Sequence, residues 1–366
     1  MRAPSVRALA PPLLLPALLM SAAPFTPAEI DRAIASLHAA GAPPSRCGAE
    51  LQRLLASAAH SPHKDWPRTE AHAAELASLL GGPDDPAFRR AFHRVLHDGN
   101  WDAAAAAASA RRERKPWVVL VTGVNGIRKT SSVYQPWFKE ALAASLGGSY
   151  AGAVEDLPAG DDSFFRQLDY MIATLALEEF KALYRVEDVA AYAKQKDAIF
   201  SRYRTYAELL GVLLVKEAQK RGLNVMVETS GRDIAMFQYI DYFFSDDDYN
   251  KLVVHFTIND LKFAEQSVDT RMLREMADGR AALATNDPQA IIKANAGGPY
   301  GSAALRGVQA ESDKVWAAVK QGGEVSESWL KATIAITAHE TQPWKSTPSL
   351  TGGAGPECES YTFAPR

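Results

Sequence analysis

The stretch Val118–Ser132, VVLVTGVNGIRKTSS, decides how the rest of the chain is read. The apolar, mostly β-branched run WVVLVT, Trp117 to Thr122, predicts a strand buried on both faces of a parallel sheet. A glycine-bearing turn follows. After it, SSVYQPWFKEALAASL predicts a helix that Pro136 shortens or kinks. Strand, turn and helix in that order are the setting of the phosphate-binding pattern G-x-x-x-x-G-K-[ST]. Gly123, Lys129 and Thr130 stand at the required spacing, while Arg128 stands where the second glycine belongs.

In such a turn, backbone N–H groups point inward at phosphate oxygens. The residues that would form this cradle are Gly123, Val124, Asn125, Gly126, Ile127, Arg128, Lys129, Thr130 and Ser131. Lys129 would reach the β- and γ-phosphates, and Thr130 would ligate Mg²⁺. Arg128 places a side chain where the backbone suits glycine, and it brings a positive charge to the same spot. The residues of this stretch alone leave open a nucleotide site, a degenerate one, and a plain strand-to-helix turn.

The flanking sequence supports an α/β reading. LNVMVET (Leu223–Thr229) and KLVVHFTI (Lys251–Ile258) are further apolar strand candidates, and the helical pattern YAELLGVLLVKEAQKRG precedes the first of them. Strands alternating with helices predict a doubly wound sheet. LNVMVET places Glu228 at its carboxyl end, where the ligand crevice of an open α/β sheet lies. Residues 26–115 read as helical: TPAE at Thr26–Glu29 is a capping box, and Gly41 closes the helix it starts. This region fits either a bundle packed on the main domain or a module that binds a protein partner. Residues 116–300 form the predicted sheet domain. Residues 301–366 read as peripheral, with one helix at SESWLKATIAITAHE and a polar tail from Thr341.

Composition narrows the function classes. A chain of 366 residues with 47% hydrophobic and 23% charged content has ample material for a core. A net charge of −3 and no interleaving of basic and aromatic residues give no reason to expect a nucleic-acid partner. Two cysteines, Cys47 and Cys358, make no disulfide framework and favour a reducing compartment. Residues 1–25 carry Arg2 and Arg7, then an apolar run broken by prolines. They read as a targeting-like or unstructured segment rather than a membrane span, and no other stretch is apolar for long enough to cross a bilayer.

The set GVNGIRKT, then NVMVETSGRD, then VVHFTI followed by a helix bearing DTRM resembles the zeta toxin family of P-loop kinases over about residues 117–300. The resemblance implies a P-loop kinase-like, doubly wound, mostly parallel sheet. It also implies ATP- or GTP-dependent, Mg²⁺-dependent phosphorylation of a small-molecule hydroxyl, UDP-N-acetylglucosamine being the family's best-known substrate. Carried over by position, Lys129 and residues 123–131 would hold nucleotide, Thr130 the Mg²⁺, and Glu228, Thr229 and Arg232 the substrate. Asp162 in GDDSFF would be the general base, with Asp161 as second candidate. Arg271 would stabilise the transferring phosphoryl group, with Arg274 and Arg280 as further candidates. The N-terminal helical region has no counterpart in the minimal toxin. A non-catalytic nucleotide-binding or scaffold protein disabled by Arg128 and an NTP hydrolase are the other readings. A kinase of this type would work in the cytoplasm or an organelle interior, where ATP is supplied.

Overall fold

The architecture is given by a computed structural model that describes residues 25–46, 48–59, 64–111, 114–322, 325–338 and 347–350. The targeting-like segment up to residue 24, both cysteines, and the tail other than residues 347–350 lie outside the described residues. Six helices come first: α1 (Pro27–Ala40), α2 (Ala49–Ala58), α3 (Trp66–Leu80), α4 (Pro86–Ala91), α5 (His93–Asp98) and α6 (Trp101–Ala110). The capping box forms at the start of α1. The Thr26 hydroxyl accepts from the Glu29 N–H at 3.3 Å, and the Glu29 carboxylate accepts from the Thr26 N–H at 2.8 Å. Then come β1 (Trp117–Thr122), α7 (Lys129–Val133), α8 (Phe138–Leu146), β2 (Ser163–Phe165), α9 (Leu168–Leu175), α10 (Leu177–Leu183) and α11 (Val189–Lys220). The chain continues through β3 (Asn224–Glu228), α12 (Ala235–Phe243), β4 (Asn250–Ile258), α13 (Leu261–Thr285), α14 (Pro288–Ala294), α15 (Ser302–Gln321), β5 (Leu330–Thr337) and β6 (Thr347–Leu350).

The strands form one sheet in the order β2-β3-β1-β4-β5-β6, parallel except for β6, which runs antiparallel to β5. This is an α/β fold with a mostly parallel sheet, doubly wound about a central β1. The alternation of β1 side chains divides the core in two. Val118 and Leu120 face the core built from the N-terminal helices, α9 to α12 and α14. Trp117, Val119 and Val121 face the other, built from α8, α13 and the start of α15. All six β1 residues are buried, as the unbroken apolar run predicts. Pro136 ends the first helical turn after the loop: α7 stops at Val133 and α8 starts at Phe138.

Two expectations need correction. SESWLKATIAITAHE is not a helix. Leu330–Thr337 is β5, paired in parallel with β4 from Leu252↔Leu330 to Ile258↔Ile336. Its Ala332, Ile334 and Ile336 are buried at every second position, which is a strand period, and Thr333 and Thr337 add β-branched residues. The helix of this region is instead α15, with Leu305, Val308, Ser312, Trp316 and Val319 buried at helical spacing. The sheet therefore runs past residue 300, and the segment after it is structural rather than peripheral.

The N-terminal helices also share a core with the sheet. Trp101 meets Phe164 of β2 edge-on at 4.7 Å between ring centroids, and the Tyr206 hydroxyl of α11 donates to Leu55 O at 2.9 Å. Gly99 lies against the edge of β2, where Phe165 N donates to Gly99 O at 2.8 Å. A Cβ on Gly99 would come within 2.7 Å of Phe165 O, so glycine permits this close approach.

Candidate active site

The loop after β1 turns on three residues with positive φ: Gly123 at 128°, Gly126 at 86° and Arg128 at 67°. A Cβ on Gly123 would lie 2.4 Å from Phe256 O, and one on Gly126 would lie 2.5 Å from Ala264 O, so both glycines are sterically required. Arg128 takes the left-handed conformation that the pattern assigns to glycine, at a backbone cost of about 1 kcal/mol or more. Its guanidinium lies 5.4 Å from the centroid of the Phe263 ring in the first turn of α13. Val124 and Ile127 are fully buried and anchor the loop. Asn125, Ser131 and Thr130 line a cleft.

That cleft, of about 1320 Å³, opens at the carboxyl ends of the parallel strands. Lys129 is buried at its floor, its Nζ donating to Val124 O at 3.1 Å and standing 3.4 Å from Glu228 Oε1. Burial pushes the Lys129 ammonium down from its usual range, and the Glu228 charge opposes that shift. Glu228 ends β3 beside β1, in register with Val121. Its second carboxylate oxygen accepts from the Thr130 hydroxyl. Thr229 N donates to Val121 O at 2.9 Å, which pins the turn after β3. Arg232 leaves that turn into the cleft and donates to the Tyr300 hydroxyl at 2.6 Å.

Arg271 and Arg274 of α13 both line the cleft, and Arg280 does not. Arg271 Nη2 donates to Gly298 O at 3.2 Å, and its Nε is buried without a hydrogen-bond partner. Asn295 is fully buried, donates to Asp169 O at 2.9 Å, and leaves its Oδ1 unpartnered in the cleft wall.

Asp162 is not in this cleft, which corrects the general-base assignment. It precedes β2 and so sits at the amino ends of the strands, opposite the crevice. Its carboxylate pairs with Lys139 at 2.7 Å and accepts from Ala159 N, Ser163 Oγ and Asn224 Nδ2 at 2.9 to 3.1 Å. Asp161 is exposed, and its backbone carbonyl accepts from Asn100. Among the carboxylates that do face the cleft is Asp169, in the first turn of α9 just past the carboxyl end of β2. Burial raises its pKa above the usual carboxylate range, against the charges of Lys196 and Arg271. His97, Asp98 and Asn100 bring the N-terminal region into the same cleft. His97 Nδ1 lies 2.7 Å from Asp98 Oδ1, and Arg94 also pairs with Asp98 at 2.7 Å. Neither Asp169 nor this wall was found from sequence, because both depend on recognising β2 and the sheet edge.

The residues present suit a nucleoside triphosphate with Mg²⁺. Buried Lys129 can take phosphate oxygens, and a hydroxyl and a carboxylate, Thr130 and Glu228, already converge as hard oxygen donors. Among the described residues no cluster of three or more His, Cys, Asp or Glu is placed to hold a metal on its own. Also among the described residues, no helix is long and apolar enough to cross a membrane.

Fold and cleft together define a doubly wound α/β protein with a phosphate-loop-like turn and a polar cleft at the switch point of its sheet. No protein-family model matches the sequence, and no curated protein matches it. Among solved structures, the chain is similar to one from the PezAT chromosomal toxin–antitoxin system of Streptococcus pneumoniae, with a TM-score of 0.35 and 11% identity over 67% of this chain and 78% of that one. A similarity of that size carries no argument about function.

Proposed function

We propose that the protein is a Mg²⁺- and ATP- (or GTP-) dependent phosphotransferase that acts on a hydroxyl of a small molecule. The observation that carries this reading is the meeting of Lys129, Thr130, Glu228 and Asp169 in one cleft at the switch point of the sheet. The cleft volume supports it, since about 1320 Å³ exceeds the 300–1000 Å³ usual for one small ligand and leaves room for donor and acceptor together.

Lys129 holds the β- and γ-phosphates. Thr130 and Glu228 would hold the Mg²⁺, which when bound neutralises charge on the phosphate oxygens. Asp169 accepts the acceptor's proton as the acceptor oxygen bonds to the γ-phosphorus and the bond to the departing nucleoside diphosphate breaks. A carboxyl whose pKa is raised by burial is a better base for that role than an exposed one. Arg271 and Arg274 face the charge that develops on the transferring group. His97 and Asp98 form the wall at the N-terminal side of the cleft, which gives the appended helices a part in holding the acceptor.

The test is calorimetric titration of Mg²⁺-ATP, followed by transfer of labelled γ-phosphate to a pool of hydroxyl-bearing metabolites. The expected result is binding that Lys129→Ala abolishes and label transfer that Asp169→Asn abolishes. Absence of nucleotide binding by the wild type would overturn the reading. Binding without transfer to any acceptor would favour a non-catalytic nucleotide-binding protein, and release of phosphate to water alone would favour a hydrolase.

A further inference from the structure

The segment that joins α14 to α15, residues 295–301, reads NAGGPYG, and its residues Ala296 to Tyr300 all line the cleft. Both ends are pinned to α13. Ala296 N donates to Glu275 Oε2 at 3.0 Å, and Ser302 N donates to Asp269 Oδ1 at 3.3 Å. Between these anchors the chain is a glycine- and proline-rich strap with no helix or strand of its own. Its middle lies against the phosphate-loop turn, since a Cβ on Gly298 would come within 3.2 Å of Asn125 Nδ2.

Two arginines hold the strap in place. Arg271 Nη2 donates to Gly298 O at 3.2 Å. Arg232, from the turn after β3, donates to the Tyr300 hydroxyl at 2.6 Å, and its guanidinium lies 4.9 Å from the ring centroid. Gly297 has φ 148°, and a Cβ on it would lie 2.8 Å from Arg271 Nη1 and 3.4 Å from Nε, so bare backbone rests on the Arg271 guanidinium. A guanidinium takes two phosphate oxygens side-on through Nε and one Nη. On Arg271 that Nη is occupied by Gly298 O, and Nε is buried without a hydrogen-bond partner. The strap thus masks the phosphate-binding edge. A pair of charged phosphate oxygens bonds this fork more strongly than one neutral carbonyl does, so phosphate can displace Gly298.

We propose that residues 296–301 are an autoinhibitory strap, which occupies Arg271 and Arg232 until a nucleoside polyphosphate displaces it. This rests on the nucleotide reading above. The strap is one short segment between fixed ends, so the Arg232–Tyr300 contact opposes its release from Arg271. Loosening the Tyr300 contact therefore shifts the population towards the state that binds ligand.

The test titrates Mg²⁺-ATP, and separately Mg²⁺ with inorganic triphosphate, into wild type, Tyr300→Phe, Tyr300→Ala and Lys129→Ala, with melting temperatures recorded in parallel. Tyr300→Phe loses the hydrogen bond and keeps the ring, whereas Tyr300→Ala loses both. Both variants are expected to bind the two ligands roughly 3- to 10-fold more tightly than wild type, Tyr300→Ala gaining more. A tyrosine that merely shaped the cleft would weaken binding when truncated. Limited chymotrypsin digestion of the wild type, with cleavage after Tyr300 followed by mass, reads the strap directly. Saturating Mg²⁺-ATP is expected to speed that cut. Equal or weaker binding by both Tyr300 variants at a wild-type melting temperature, with Lys129→Ala still impaired, would overturn the proposal and leave the nucleotide reading intact. Slower cleavage after Tyr300 with ATP would also overturn it, since the strap would then close on the ligand. No binding of either ligand by the wild type would sink both readings together.

Discussion

The Thr130 hydroxyl donates to the Glu228 carboxylate, joining the start of the helix after the phosphate loop to the end of the neighbouring strand β3. The pairing shifts the role argued for Glu228. The resemblance implied a substrate-pocket residue, whereas the proposed function gives its carboxylate the part of a second oxygen donor, beside Thr130, to Mg²⁺. Glu228→Gln is therefore expected to weaken ATP binding about 10–100-fold when Mg²⁺ is present. Without the metal, removing a negative charge beside the phosphates should leave binding unchanged or tighter. Calorimetry with and without Mg²⁺ separates the cases, and an equal loss in both would return Glu228 to the substrate pocket.

Asp169 and Asp162 give opposite expectations. Asp169→Asn should lower kcat by about 10²–10⁴-fold with little change in folding stability. Because burial raises the Asp169 pKa and the base works deprotonated, the acid limb of the wild-type rate profile should lie above the ordinary carboxylate value of 3.8 and disappear in the variant. Asp162→Asn should leave kcat near wild type and cost about 1–2 kcal/mol of stability, since it weakens the bonds that tie residues 159–163 to Lys139 and Asn224. If Asp162→Asn stops turnover while folding normally, the correction made to the base assignment is wrong.

Lys196 of α11 and Glu275 of α13 form a fully buried ion pair, at 2.7 and 2.8 Å to the two carboxylate oxygens. Glu275 also accepts from the Tyr192 hydroxyl and from Ala296 N at 3.0 Å, so it ties α11 and α13 to the segment that follows α14. Truncating one partner strands a buried charge. Glu275→Ala is expected to cost about 3–5 kcal/mol in urea unfolding. The apolar double variant Lys196→Met/Glu275→Leu should recover much of that loss. A cost below 1 kcal/mol for Glu275→Ala would show that water reaches the pair.

Legibility in the sequence followed the range of the interactions involved. β1, β3 and β4 were readable because parallel strands covered on both faces need apolar residues at nearly every position, as in WVVLVT. β5 was missed because Lys331 and the small Ala332 and Ala335 dilute the strand period in LKATIAIT, and its role comes from pairing with β4, some 80 residues earlier. β2 has only three residues, too few for any period, so Asp169 just beyond it gave no signal. The loop was readable in kind, and even the strain at Arg128 was foreseeable, because positive φ is fixed locally by the turn. That His97 and Asp98 reach the same cleft follows from Gly99 lying on the sheet edge, a contact between residues 66 apart that no local pattern encodes.

His255 offers a test of the core behind the loop. Its Nδ1 shares a hydrogen bond with the Thr122 hydroxyl at 2.9 Å, and its ring stacks on Trp316 at 4.8 Å, joining β1, β4 and α15. Burial, with the charges of Lys320 and Lys129, pushes its pKa down from 6.5 to about 3. The ring is thus expected to stay neutral in the folded protein down towards pH values of about 3. Below pH 6.5 the unfolded chain takes up a proton that the folded chain refuses, so folding stability falls as pH falls. The contribution changes by at most about 1.4 kcal/mol per pH unit down towards pH 3. His255→Gln cannot titrate. The stability gap between wild type and this variant should shift in the variant's favour as pH drops from 7 to 4.5, measured by urea unfolding at each pH. Parallel pH profiles for the two proteins would mean that the imidazole takes its proton in the folded state, and that the Thr122–His255–Trp316 contact opens to water.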